Sequence, residues 1–123
     1  MKNNTNKIHV LDLNDRPWQA IKCGTKSIEV RANNDCSDFD HFQIHGGDII
    51  RFINNTTGES LEVRVVDVRH YKTARELLET EGTKRTLSSG KDVVGGIDSI
   101  HSITGYKEAI AKNGVFAIEV EPN

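Results

Sequence analysis

Ile49-Ile50-Arg51-Phe52-Ile53-Asn54-Asn55-Thr56-Thr57-Gly58-Glu59-Ser60-Leu61-Glu62-Val63-Arg64-Val65 is the stretch that decides the fold. Its first five residues form an apolar-rich run of strand length. A polar loop follows and closes on Gly58. The return run alternates: Leu61, Val63 and Val65 fall on one face, Glu62 and Arg64 on the other, which is the period-two pattern of a half-buried strand. Two such runs around a short loop make an antiparallel hairpin. The phase blurs at Val66–Val68, where a bulge or a second covered face is expected.

Upstream, His45-Gly46-Gly47-Asp48 is a tight turn into the hairpin. Before it, Phe39, Phe42 and Ile44 anchor an irregular segment, and 32–38 is a polar loop. Lys7 to Leu13 reads as a first strand. Ile8, Val10 and Asp12 share one face and His9, Leu11 and Leu13 the other, which predicts a strand covered on both sides. Asn14-Asp15-Arg16-Pro17 starts a short helix, with Asn14 or Asp15 as cap and proline in the first turn. Trp18 and Ile21 share a face of that helix, and Gly24 ends it.

Downstream, Thr73-Ala74-Arg75-Glu76 is a capping box that opens a helix to about Glu81, stopped by Gly82, with Ala74, Leu77 and Leu78 as its buried stripe. Residues 83–104 carry Gly90, Gly95 and Gly96 and show no strong period, which suggests a functional loop or lid. A short helix over 105–112 and a last strand over 115–120 complete the chain. The order β-α-β-β-β-α-loop-α-β lacks the regular alternation of a parallel Rossmann sheet. The expected fold class is α+β: a small, mostly antiparallel β-barrel with short helices packed around it.

The chain has 123 residues, 36% hydrophobic and 28% charged, which suits one core. Residues 1–6 read as a tail and 7–123 as a single domain. No apolar run approaches the length of a membrane span, and the polar start lacks the apolar stretch of a signal peptide, so a cytoplasmic protein is expected. The net charge of −2 argues against a binder driven by phosphate neutralisation alone, but leaves room for a local basic cleft. Cys23 and Cys36 form no Cys-x-x-Cys motif and are expected as free thiols. The five histidines are too scattered to propose a metal site, and no cofactor is indicated.

Chemistry concentrates in Gly24-Thr25-Lys26-Ser27-Ile28-Glu29-Val30-Arg31, a turn followed by a strand. Alternation places Ile28 and Val30 towards a core and Ser27, Glu29 and Arg31 together on the outward face. Lys26 approaches that face from the turn. Two cations and a carboxylate then lie within reach of one small ligand. Ordinary solvated surface charge is the competing reading.

Several motifs together resemble the ASCH domain family of the PUA-like superfamily. They are Pro17-Trp18, then Gly24-x-Lys26-x-x-Glu29-x-Arg31, then Gly47-Asp48-x-Ile50-x-Phe52, the strand Leu61-x-Val63-x-Val65 and the closing Gly114-Val115-x-Ala117-Ile118. The resemblance implies a PUA-like barrel with helices around a cleft, and RNA or a nucleotide or nucleoside as partner. One branch of the family resembles an amidohydrolase acting on N4-acetylcytidine through a lysine in the turn, a threonine on the next strand and a distant glutamate. Lys26 matches that lysine. Glu29 stands where the threonine would be, so the hydroxyl nucleophile is missing there. A ribonuclease-like activity is also attributed to such proteins.

The leading reading is a nucleotide- or RNA-binding cleft. Lys26 and Arg31 take phosphate or a base edge, Glu29 accepts from an exocyclic amine, and Trp18 or Tyr106 offers a stacking surface. For Trp18 the core reading is the stronger one, since a lone Trp on a helix face is usually buried, and Arg31 reads equally as paired with Glu29 or Asp48. The alternative is a small hydrolase of the N4-acetylcytidine or ribonuclease type, with Lys26 as base and Glu29 activating water. A third reading is an interaction module with an empty cleft.

Overall fold

The computed structural model describes residues 6–34 and 38–123. The tail expected over 1–6 falls almost wholly outside them, as does Cys36. Five strands form one sheet in the order β1-β3-β4-β5-β2, where β1 is Ile8–Leu13, β2 Ile28–Arg31, β3 Ile49–Asn54, β4 Ser60–Tyr71 and β5 Val115–Pro122. The β3–β4 hairpin is antiparallel as its sequence requires, with Ile50 opposite Val63 and Phe52 opposite Leu61. The pairings of β4 with β5 and of β5 with β2 are antiparallel too. β1, however, runs parallel to β3, with Leu11 beside Phe52. The sheet is therefore mixed and curled into a half-barrel, which corrects the expected mostly antiparallel closed barrel.

The parallel pairing has a local cause. Asp48, at the end of the Gly46–Gly47 turn, accepts from the Lys7 backbone N–H at 3.0 Å on Oδ1. Its Oδ2 lies 2.8 Å from His9 Nε2 and accepts from His45 N–H at 2.9 Å. One buried carboxylate thus ties the start of β1 to the start of β3 and sets both strands running the same way. Gly47, at φ +92°, supplies the left-handed residue this turn needs.

The inner face of the curl buries Leu11, Leu13, Trp18, Ile50, Phe52, Val63, Val65, Phe116 and Ile118. β1 is covered on this side only. Ile8 and Val10 are 59% and 56% exposed, which corrects the expectation of a strand covered on both faces. The blurred phase near Val66 is a register shift between Val65 and Asp67. On the other side of β2 and β5, helices bury Ile28, Val30, Leu77, Leu78, Ile100, Ile110 and Val115 in a second core.

The helices are α1 (Asp15–Cys23), α2 (Ala74–Glu81), α3 (Thr83–Thr86), α4 (Val93–His101) and α5 (Tyr106–Asn113). Gly24 adopts φ +87° and returns its N–H to Ile21 O, closing α1 as read from the sequence. Thr73 caps α2 by accepting from Glu76 N–H at 3.1 Å, while Glu76 Oε1 reaches back to Lys72 N–H. The expected loop over 83–104 instead contains α3 and α4. Gly96 explains the misreading: a Cβ there would lie 2.7 Å from Leu87 Cδ1 and 2.9 Å from Leu78 Cδ1. The glycine that reads as a helix breaker is what lets α4 close on α2. No helix among the described residues is long and apolar enough to cross a membrane.

The two faces of the β1–β3 pair predict opposite mutational outcomes. Ile50→Ala, at a fully buried inner position, should cost about 2–5 kcal/mol in urea unfolding. Ile8→Ala should stay within about 0.5 kcal/mol. Equal losses at both positions would mean that the outer face is covered as well.

Candidate functional site: a cation–carboxylate–cation cluster at the sheet seam

β2 is the edge strand opposite β1, so the curl brings the two free edges of the sheet towards each other. Glu29 lies opposite Ile118 of β5, and Arg31 opposite Phe116. Residues opposite one another share a face. Glu29 and Arg31 therefore point into the curl beside Ile118 and Phe116, and not outwards to solvent as alternation alone predicts. Strand β2 is polar on the inner face and apolar on the helix-covered face, because both faces are buried.

Three charged side chains meet here. Lys26, Glu29 and Arg31 have side chains only 5%, 7% and 15% exposed. Arg31 Nε donates to Glu29 Oε2 at 2.6 Å, and Lys26 Nζ lies 3.6 Å from Glu29 Oε1. Arg31 Nη2 donates to the backbone carbonyl of Asp12 on β1 at 2.7 Å. One guanidinium thereby spans the open seam of the half-barrel. Arg31 is paired with Glu29, one of the two partners the sequence allowed, and not with Asp48.

Lys26 is held more closely than its position in a turn suggests. Its Nζ donates to Ile28 O at 2.6 Å and to Thr86 O at 2.5 Å. Thr86 closes α3, and that helix is fastened over β2. The Arg85 carbonyl accepts from Ser27 N–H at 3.0 Å. The Arg85 side chain reaches Glu81 and Glu119, which Arg69 of β4 also binds. With Glu29, the two carbonyls match the three N–H donors of an ammonium.

Burial sets the titration of the cluster. It pulls the Lys26 ammonium below its ordinary value, against the opposing pull of Glu29. Burial would raise the Glu29 carboxyl, but Arg31 and Lys26 outweigh it and hold the group below the usual carboxylate value. Three acceptors around Lys26 Nζ fit an ammonium, so with Glu29 and Arg31 the cluster sums to a single positive charge.

This cluster forms the floor of a cleft of about 620 Å³, between the α1 entry on one side and α3, α4 and α5 on the other. Arg16, Asn14 and Asn55 line one wall, and Ser88, Ser89, Ser99 and Ser102 the other, with Tyr106 beside them. The charged residues along the cleft are Arg16, Lys26 and Arg31 with Asp12 and Glu29. A volume of this size suits a drug-sized ligand. Tyr106, buried at the start of α5, lines the cleft as the sequence suggested. Trp18 does not: it is 2% exposed, and its indole N–H donates to Phe52 O at 3.0 Å. It is part of the inner core.

The serine wall was not anticipated, because it belongs to the segment read as a loop. The structure brings that segment to the cleft, with Ser88 and Ser89 between α3 and α4, Ser99 within α4 and Ser102 just after it. Cys23 is a free, exposed thiol on the far end of α1, hydrogen-bonding with Thr25 and Ala20 O. Among the described residues no group of three or more His, Cys, Asp or Glu side chains is placed to hold a metal ion.

A family match decides what kind of domain carries this cleft. The ASCH domain matches residues 11–123. The chain belongs to the ASCH domain family. Two solved structures agree with that membership. The crystal structure of hypothetical protein PH0355 is 34% identical, with a TM-score of 0.79 over 95% of this chain and 99% of that one. The solution structure of Protein PF0455 from Pyrococcus furiosus is also 34% identical, with a TM-score of 0.72 over 94% of this chain and 96% of that one. No curated protein matches the chain. ASCH domains have a PUA-like, nucleic-acid-binding type of fold, so the cleft is set in a scaffold of that kind.

Glu29→Gln tests the cluster directly. It leaves Lys26 and Arg31 buried without their anion, and should cost about 3–5 kcal/mol of stability at pH 7. The folded-state value of Glu29 lies below its ordinary 4.5. Its stabilisation is therefore whole above that value and is lost as pH falls through the lowered one. Melting curves of wild type and variant should converge on acidification. A gap that stays constant to the acid limit would show that Glu29 is not charged in the fold.

Proposed function

We propose that this ASCH domain binds single-stranded RNA or a free nucleotide in the seam cleft, with Arg31 as the principal recognition group. The observation that carries the reading is Arg31 itself. Its Nε and Nη2 are committed to Glu29 and to Asp12 O, which fixes the plane of the guanidinium at the cleft floor. Nη1 is committed to no partner among the described residues. An oriented guanidinium with a donor to spare matches a phosphate or a base carbonyl, and it loses little rotamer entropy on binding. The net positive floor and the hydroxyl-rich wall fit a polar, anionic ligand bearing a sugar or base edge. A role in RNA metabolism or its regulation follows from this reading. Lys26 and Glu29 then act mainly by holding Arg31 and the floor in place, with Glu29 Oε1 as an acceptor for a ligand amine.

A hydrolytic use of the same site rests on one observation, the buried Lys26 with its lowered pKa beside Glu29. For Lys26 to accept a proton, its ammonium must first give one up and release a carbonyl partner. Turnover of N4-acetylcytidine or cleavage of short RNA by the wild-type chain, abolished in Lys26→Ala, would establish that use.

Arg31→Lys discriminates best. The point charge remains but the fork is lost, so one group cannot hold Glu29 and Asp12 O and also present a fixed donor. Affinity for short single-stranded RNA or for nucleoside monophosphates, read by fluorescence anisotropy or calorimetry at low salt, should fall at least about tenfold, since one charge-assisted bond is worth roughly 1.5–3 kcal/mol. Unchanged affinity in a variant that still folds by circular dichroism would remove Arg31 from the site. A wild-type chain that binds neither ligand would remove the reading.

A further inference from the structure

The seam holds a second cleft. It encloses about 320 Å³ and is bounded by the free edge of β1 at Val10–Asp12, by Arg31 and Ala32, and by Phe39, His41 and Tyr106. Asp12, Arg31 and Tyr106 also line the first cleft. The bridge from Arg31 to Asp12 O is thus a partition: the gap between the two sheet edges continues on both sides of it.

His41, which lines the second cleft, carries an unexplained polar atom. His41 is only 6% exposed, and its Nε2 is buried with no hydrogen-bond partner among the described residues. The rest of the ring is fully specified. Asn33 Oδ1 accepts from the His41 backbone N–H at 2.8 Å, and Asn33 Nδ2 donates to Asp40 Oδ1 at 2.8 Å, which fixes the orientation of the Asn33 amide. The contact of 2.7 Å between Asn33 Oδ1 and His41 Nδ1 therefore requires the proton on Nδ1. Nε2 is left with a lone pair. Burial, reinforced by the nearby Arg31 charge, lowers the His41 pKa to about 4, so the ring is neutral at physiological pH and Nε2 can only accept. A buried acceptor without a donor is costly, and buried polar groups in folded proteins nearly always have one. No described residue supplies the N–H or O–H that this acceptor calls for.

We propose that the second cleft is a subsite for the adjoining unit of the same ligand, so that the domain takes a single-stranded ribodinucleotide or longer strand across the seam. Arg31 meets the linking phosphate, and His41 Nε2 accepts from an amino, imino or 2′-hydroxyl group of the second unit. This inference rests on the nucleotide reading of the first cleft. It adds that a lone mononucleotide fills only one of the two clefts. The second volume lies at the lower end of ligand pockets and suits a unit no larger than a nucleoside. The hydroxyl of ribose and the exocyclic amines of bases are the donors that single-stranded recognition ordinarily reads.

Calorimetric titration of the wild-type chain with the four ribonucleoside 5′-monophosphates and the sixteen ribodinucleotides tests the proposal. At least one dinucleotide should bind tenfold or more tightly than either of its component mononucleotides. In His41→Phe, which fills the ring volume without the acceptor, that ratio should fall to within twofold of one. Nitrogen-15 NMR of the wild-type chain gives a readout that does not depend on the variant folding. The His41 Nε2 resonance should shift on adding the dinucleotide and stay in place on adding the mononucleotide. Mononucleotide binding with no dinucleotide gain and an unmoved Nε2 would overturn the subsite alone. Absence of binding by every nucleotide would overturn both the subsite and the reading beneath it.

Discussion

The bond from Arg31 to the carbonyl of Asp12 is the constraint on which the site depends. A five-stranded sheet that curls without closing leaves two edges with unpaired backbone groups facing each other. In this chain a side chain crosses the gap. Arg31 takes an edge carbonyl of β1 with one nitrogen and the Glu29 carboxylate with another. The half-barrel is thereby pinned at one point and left open on either side of it. Both clefts follow from that choice, because full strand pairing between β1 and β2 would fill the space they occupy.

Glu29 is what makes such a pin affordable inside a protein. A guanidinium and an ammonium placed together in a desolvated seam would repel each other and lose their hydration. A carboxylate between them reverses the sign of both interactions, and the backbone carbonyls of Asp12, Ile28 and Thr86 take further donors from the two cations. The arrangement recruits three separate parts of the chain: the end of β1, the whole of β2 and the end of α3. The network of Arg69, Glu81, Arg85 and Glu119 keeps α3 in place, and so acts on Lys26 at one remove.

Features fixed by neighbours in sequence were legible before the structure. Gly24 as the end of α1, Thr73 as the cap of α2, the hairpin 49–65 and the irregularity at Val66 each depend on a few consecutive residues. Features fixed by distant partners were not. The direction of β1 depends on Asp48, some forty positions on. Glu29 was placed outwards because period two says only that its side chain opposes those of Ile28 and Val30. That both faces of β2 are covered is decided by β5 and the helices. Gly96 looked like a break in a helix, since nothing local reveals that Leu78 and Leu87 press on its Cα. His41 was set aside as one of several scattered histidines. Its partner Asn33 lies eight residues away in a polar loop, a spacing with no period to notice. Lys26, Glu29 and Arg31 could be read as one cluster because they span six residues within one turn and one strand.

The place of β2 in the sheet also bears on how the domain comes to exist. Among the described residues β2 hydrogen-bonds to β5 and to no other strand, although nearly ninety residues separate Glu29 from Ile118. The residues that form the cleft floor emerge early in synthesis, but the strand that holds them is the last to emerge. Contacts this far apart in sequence form late and slowly. Until β5 arrives, Lys26, Glu29 and Arg31 have no surface to be buried against, and the edge of β1 has no guanidinium to cap it. The cleft floor is therefore assembled only once β5 has joined β2, and a fragment that stops short of β5 lacks the strand that holds it.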